Sequence, residues 1–297
     1  MLAPIEDIFC EIDDFCKEFY TKESQYILPN PKRQRIRSCR LSASEIMTIL
    51  ILFHLSHYRT FKDYYHECVV KHLTAYFPQF LSYNRFLELK SCVIPALAVY
   101  MKYKSGTETG MYYIDSTTLK VCRNQRIHRH KVFNDIAKRG RSSMGWFFGF
   151  KLHLVINHQG EIMSFCLTQG NVDDRKPMET LFKGLKGIGC GDKGYISKEM
   201  TQKLADKGLA IITKTKSNMK KITRSVFEKY LLAQRSIVET VIEQLKSICQ
   251  IEHSRHRKPD NFLANMLAAL AAYTLKPRKP SINQRFFHNA NHSLTPS

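Results

Sequence analysis

Three things are scarce in this chain of 297 residues: paired cysteines, long apolar runs and, in its second half, acids. The nine cysteines are odd in number and no two of them form a C-x-x-C pair. That excludes a disulfide framework and a cysteine zinc site, and it points to free thiols in a reducing cytoplasm. No segment reaches the roughly 18 apolar residues of a membrane-spanning helix. Glu6, Asp7 and Glu11 interrupt the N-terminus, so no signal peptide is expected there. The shortage of acids is local. Up to residue 105 the chain carries 14 lysines and arginines against 11 acids, and beyond it 32 against 15. Most of the formal charge of +20 therefore belongs to the second half. A field of that sign favours a polyanion, nucleic acid being the commonest, with a membrane surface as the rival.

What is present divides the chain. Ile5, Ile8, Phe9, Ile12, Phe15, Cys16 and Phe19 recur at helical spacing. Five cations follow between Lys32 and Arg40, where a phosphate-contacting linker and a solvated loop read alike. Ser42-Ala-Ser-Glu45 is a capping box that opens an apolar helix. Further helical patterns cover 61–76, 82–90 and 93–103, which makes residues 1–105 an all-helical domain. A helix-turn-helix within 42–90 is open, because bundles without any DNA role share this pattern. Gly106 and Gly110 mark a linker, after which the period changes.

From there to residue 275 the spacing predicts strands at 111–122, 146–156, 162–167, 187–191 and 209–214, interleaved with helices: a mixed sheet flanked by helices, an α/β architecture. Asp173 or Asp174 is expected to cap a helix running to about residue 185. The stretch between Lys120 and Lys151, which includes Arg139 and Arg141, has nine cations and one acid but no clear period. Within it His128 and His130 look like a metal pair, and phosphate contact or solvation explains them as well. Trp146 is the only tryptophan and suits either core packing or base stacking. Residues 262–275 form an apolar helix, expected to pack on the sheet. The remainder, 276–297, reads as a basic mobile tail.

The chemistry concentrates on three acids. Asp115 lies inside an apolar strand, Asp192 at a strand end among glycines, and Glu239 on a helix whose apolar stripe is Val238, Val241, Ile242, Leu245, Ile248 and Cys249. Arg235, Glu239, Glu243 and Lys246 run together along one edge of that helix. Carboxyl ends of strands are where ligands gather in open sheets. Three converging carboxylates repel one another unless a cation neutralises them, and hard oxygen ligands select Mg²⁺ or Mn²⁺. Asp173 or Asp174 as the second ligand, and Glu243 as the third, stay open alternatives. A further basic group is Lys214, Lys216, Lys220 and Lys221.

Tyr-Ile-Asp115-Ser-Thr, Gly-Asp192-Lys-Gly-Tyr195 and Arg235-x-x-x-Glu239-x-x-x-x-x-x-Lys246 resemble the catalytic motifs of DDE transposases of bacterial insertion sequences. The resemblance covers about residues 105–275. It implies a ribonuclease-H-like catalytic domain preceded by a helical one. It also implies Asp115, Asp192 and Glu239 as ligands of two Mg²⁺ ions, Mn²⁺ substituting. Arg235 and Lys246 are implied as contacts to DNA ends, and terminal inverted repeats and target DNA as partners of at least a dimer. The chain departs from many relatives in having Leu232 where a tyrosine precedes the arginine by three; Tyr230 is out of register by two. The 47 residues from Asp192 to Glu239 leave no room for a large inserted domain. A nuclease of the same fold that never joins strands, and a DNA-binding protein that has stopped cutting, are the alternative readings.

Overall fold

The computed structural model describes residues 4–26, 39–215, 219, 223–252 and 256–282. The chain falls into two compact units, one of residues 1–104 with 244–277 and the other of 105–243 with 278–297.

The first unit is helical. It contains α1 (Ile5–Tyr26), α2 (Ala43–Leu55), α3 (Phe61–Asp63), a π-helical stretch Tyr64–Val69, α4 (Val70–His72), α5 (Tyr83–Leu89) and α6 (Ile94–Tyr103). The expected capping box opens α2: Glu45 N–H donates to Ser42 Oγ, and Ser42 N–H donates to the Glu45 carboxylate. The cations 32–37 lie outside the described residues.

The apolar helix near the C-terminus, expected on the sheet, instead packs on α2 and α6 of this unit. Its side chains explain why. From Ala264 to Tyr273 every residue is buried, and a helix apolar on all sides needs cover on all sides, whereas a sheet covers one.

Lys90 is the anomaly here. It is 2% exposed, and its ammonium sits 4.6 Å from the Phe61 ring centroid. Burial pulls its pKa down to about 7. An unfolded Lys90 keeps its proton to near 10.5, so between pH 7 and 10.5 the unfolded chain binds the extra proton and stability rises with pH. Lys90→Met is expected to raise the melting temperature at pH 7 and to flatten its climb toward pH 10. Melting curves across that range check this; an unchanged climb contradicts it.

The second unit carries a six-stranded sheet. Its strands are β1 (Met111–Cys122), β2 (Lys138–Ser142), β3 (Gly145–Asn157), β4 (Ile162–Gln169), β5 (Gly187–Gly191) and β6 (Leu209–Thr213). β3 pairs antiparallel with β1, β2 and β4, while β5 is parallel to β1 and to β6. Leaving β2 aside, the order β4-β3-β1-β5-β6, three antiparallel strands followed by two parallel ones, is the ribonuclease-H-like order. β1 is central, and Tyr112, Tyr113 and Ile114 are buried on both faces.

Two helices, α7 (Met178–Leu181) and α8 (Lys198–Ala205), cover the face of Tyr112 and Ile114, with Met178, Leu181, Phe182 and Leu204 in one cluster. A helix not expected from the pattern, α9 (Val226–Ala233), packs against β5 and β6. After it come α10 (Ser236–Ser247) and α11 (Pro259–Thr274), the apolar helix of the first unit. β2 was also unexpected, since its sequence Lys-Arg-Gly-Arg-Ser has no apolar alternation.

Candidate active site

Register brings the first two acids together. Tyr113 of β1 lies beside Cys190 of the parallel β5. Asp115 and Asp192 each follow by two residues, so both stand at the same level and, by the two-residue period, on the same face. Each has one oxygen held by the next backbone amide. Ser116 N–H donates to Asp115 Oδ1 at 2.8 Å, and Lys193 N–H donates to Asp192 Oδ1 at 2.5 Å. Asp192 thereby opens the single 3₁₀ turn Lys193–Tyr195. Along α10 and the two residues after it the buried stripe is Ile237, Val238, Val241, Leu245 and Cys249, while Ile248, expected in it, is 40% exposed. That stripe turns Glu239 outward, with 53% of its side chain exposed.

Arg235 joins the helix to the strand. Its Nη2 donates to Glu239 Oε1 at 2.5 Å and its Nη1 to Asp115 Oδ2 at 3.4 Å. Only 15% of its side chain is exposed, and its Nε is buried without a hydrogen-bond partner. Burial pushes the Asp115 carboxyl up to about 6, and the charges of Glu239 and Asp192 push the same way; the Ser116 amide and Arg235 oppose them.

Among the described residues, no three His, Cys, Asp or Glu side chains stand close enough to hold a metal ion as they are. The guanidinium of Arg235 occupies the interval between Asp115 and Glu239. The donor set itself fits a hard divalent cation: three carboxylates, no thiolate, and a half-buried acid whose pKa stays raised even with Arg235 beside it.

The other expected residues are dispersed. Lys246 pairs with Glu252 at 3.3 Å. Lys214 is exposed just beyond β6, whereas Lys216, Lys220 and Lys221 lie outside the described residues. Arg139 and Arg141 are exposed on β2. Glu243 lies exposed one turn beyond Glu239. His130 rests against Phe133 and Phe148, centroids 5.6 and 6.3 Å away.

Asp173 and Asp174 do not cap a helix. α7 starts later, after Pro177, and has no side-chain cap. Asp173 accepts from Arg175 N–H at 2.9 Å and from its guanidinium, which holds the carboxyl far below its usual range.

Asp174 reveals a network that the pattern did not suggest. It accepts from Lys151 Nζ at 3.0 Å and from Ser116 Oγ at 3.3 Å, and the buried His153 lies 3.8 Å away. Burial lowers His153 to about 4, against the pull of Asp174. Lys151 also donates to the Val172 carbonyl at 2.9 Å. Asp174 thereby holds the residue whose amide holds Asp115. The available signal was the pair Lys151 and His153 alternating within an otherwise apolar β3.

Comparison with known proteins places this geometry. A family model described as a transposase DDE domain matches residues 105–259. The chain belongs to that family, and it is a transposase by descent. No curated protein matches it by sequence. Among solved structures it is similar to a piggyBac transposase synaptic complex with hairpin DNA, at a TM-score of 0.47 and 10% identity, over 88% of this chain and 74% of that one.

The raised Asp115 yields a stability test. Its folded value near 6 exceeds the ordinary 3.8 of an unfolded aspartate, so the folded chain binds the extra proton between them and stability falls as pH rises through that window. In chelator, Asp115→Asn is expected to melt higher than the parent at pH 7 and to lose that fall. Equal melting temperatures at pH 7 would contradict the burial of this charge.

Proposed function

We propose that the chain is a metal-dependent transposase of a bacterial insertion sequence, acting in the cytoplasm as a dimer or larger assembly. It cuts DNA at the terminal inverted repeats of its element and joins the freed 3′-hydroxyls to target DNA. The observation that supports the reading is the bridge from Arg235 to both Asp115 and Glu239, in a chain of this family whose Asp192 follows the strand beside that of Asp115.

In this reading Asp115, Asp192 and Glu239 hold Mg²⁺, with Mn²⁺ able to substitute. When bound, a pair of such ions would stabilise the attacking and leaving oxygens of an in-line phosphoryl transfer. The protein's own groups do the rest. The Ser116 and Lys193 amides each fix one oxygen of an aspartate, so the other oxygen is presented to the site. Arg235 is the counter-cation of Asp115 and Glu239 before the metal arrives, and a phosphate contact once it is displaced. Lys246, Lys214, Lys216, Lys220, Lys221, Arg139 and Arg141 supply cationic contacts to the backbone, which carry affinity without sequence information.

Asp115→Asn, Asp192→Asn and Glu239→Gln should each lower Mg²⁺-dependent cleavage of an element-end duplex by more than ~100-fold, beyond what an outer-shell partner is worth. Binding of the same duplex, read by fluorescence polarisation, should change little. Full cleavage by any of the three contradicts the assignment. Cleavage by the parent without joined product would favour a nuclease, and binding without cleavage in Mg²⁺ or Mn²⁺ a protein that has lost catalysis.

A further inference from the structure

The hairpin of β2 and β3 has two unlike faces. Inward, Phe147 is buried, and a Cβ on Gly140 would stand 2.0 Å from the Gly170 carbonyl oxygen, so this face lies tight against the body of the unit. On the other face, Arg141 lies opposite the exposed Trp146 and Arg139 opposite the buried Phe148. Cross-strand partners share a face, so both guanidiniums flank the indole. Both guanidiniums lie over the indole ring as cation–π contacts, Arg139 at 5.0 Å and Arg141 at 6.0 Å from its centroid, and the indole is still 53% exposed.

Trp146 is 53% exposed, and Met144, at the turn, is 89% exposed. An exposed indole and thioether on one hairpin lose hydrophobic stabilisation that core positions would provide. The backbone beneath is nonetheless held: Asn124 Nδ2 donates to the Trp146 carbonyl at 2.8 Å, and Ser142 Oγ donates to the Gly145 carbonyl at 3.2 Å. Among the described residues neither arginine meets a carboxylate. A partly exposed aromatic ring carrying two cations that meet no carboxylate matches a planar, apolar ring attached to anions. That is a nucleobase with its phosphates, the guanidiniums turning to the latter as the base takes the ring.

We infer that Trp146, with Arg139 and Arg141, is a stacking site for an unpaired base of bound DNA, the base lying on the indole and the guanidiniums holding the adjoining phosphates. A base inside a duplex hides its faces in the stack, so only an unpaired or extruded one presents a face to the indole. β1 and β3 tie the hairpin to the acids. Asp115 pairs with Leu154 on β3, eight residues from Trp146, or ~26 Å at about 3.3 Å per residue. The stacked base would thus lie on the order of seven or eight base pairs from the scissile phosphate, at about 3.4 Å per pair. The inference rests on the chain being a DNA-processing transposase.

As the only tryptophan, Trp146 reports on itself. The full chain is titrated with a duplex bearing one unpaired thymine and with the fully paired duplex of the same length. Saturable quenching of tryptophan fluorescence by the bulged duplex, and much less by the paired one, is expected. In polarisation assays Trp146→Ala should bind the bulged duplex roughly 5- to 150-fold more weakly, the range one stacked base is worth, and Trp146→Phe should restore part of the loss. The paired duplex should bind parent and both variants alike. If Trp146→Ala binds both duplexes as the parent does, or if fluorescence is unmoved while polarisation shows binding, the stacking site is overturned and the transposase reading stands. If neither duplex binds the parent, both fall.

Discussion

Everything at the site depends on one electrostatic constraint: the half-buried carboxyl of Asp115, which its surroundings and the charges of Glu239 and Asp192 push up. Water cannot screen that charge fully, and the protein's own remedy is a single guanidinium between Asp115 and Glu239. A buried ion pair of this kind contributes little net stability, because desolvation offsets its attraction. Its value here is positional. Arg235 keeps the helix acid and the strand acid apart yet near. The cost remains visible in the raised Asp115 carboxyl, which is the expected mark of a site shaped for a ligand rather than for stability.

The sheet supplies the rigidity this arrangement needs. Asp115 lies on the central strand, paired along one side with β3, and β5 joins the other side just before it. Asp192 follows the end of β5, where the chain turns at once into Lys193–Tyr195. Behind Asp115, the Lys151–Asp174–Ser116 chain of hydrogen bonds limits how far the strand's side chains can relax. The basic hairpin extends the same β1–β3 ladder away from the acids. In the proposed function, cutting and gripping both draw on this pair of strands.

Much of this was legible in the residues. Asp115 within Tyr-Tyr-Ile-Asp-Ser-Thr, Asp192 among glycines and the Arg235 to Lys246 intervals were informative because an acid in an apolar or glycine setting lacks a local reason to be there. β1, β3, β4, β5 and β6 followed from period and turn signals. β2 did not, because Lys138, Arg139 and Arg141 face solvent and Gly140 replaces the apolar residue that alternation would require. The place of α11 was misjudged because its apolar residues surround the helix and name no face, so the partner was a matter of tertiary structure. Asp174 was mistaken for a cap because local hydrogen bonding is the usual use of such an acid, whereas its partner Lys151 lies 23 residues away in the chain. The reach of Arg235 to Asp115, 120 residues apart, has no sequence signature at all.

The central claim is that Asp115, Asp192 and Glu239 form one cation site. The most direct measurement is Mn²⁺ binding followed by electron paramagnetic resonance, without DNA, on the parent chain and on Asp115→Asn, Asp192→Asn and Glu239→Gln. The account predicts saturable binding by the parent that Mg²⁺ displaces and that each substitution weakens by about tenfold or more, as loss of a charged ligand should. Three variants that bind Mn²⁺ as the parent does would contradict it.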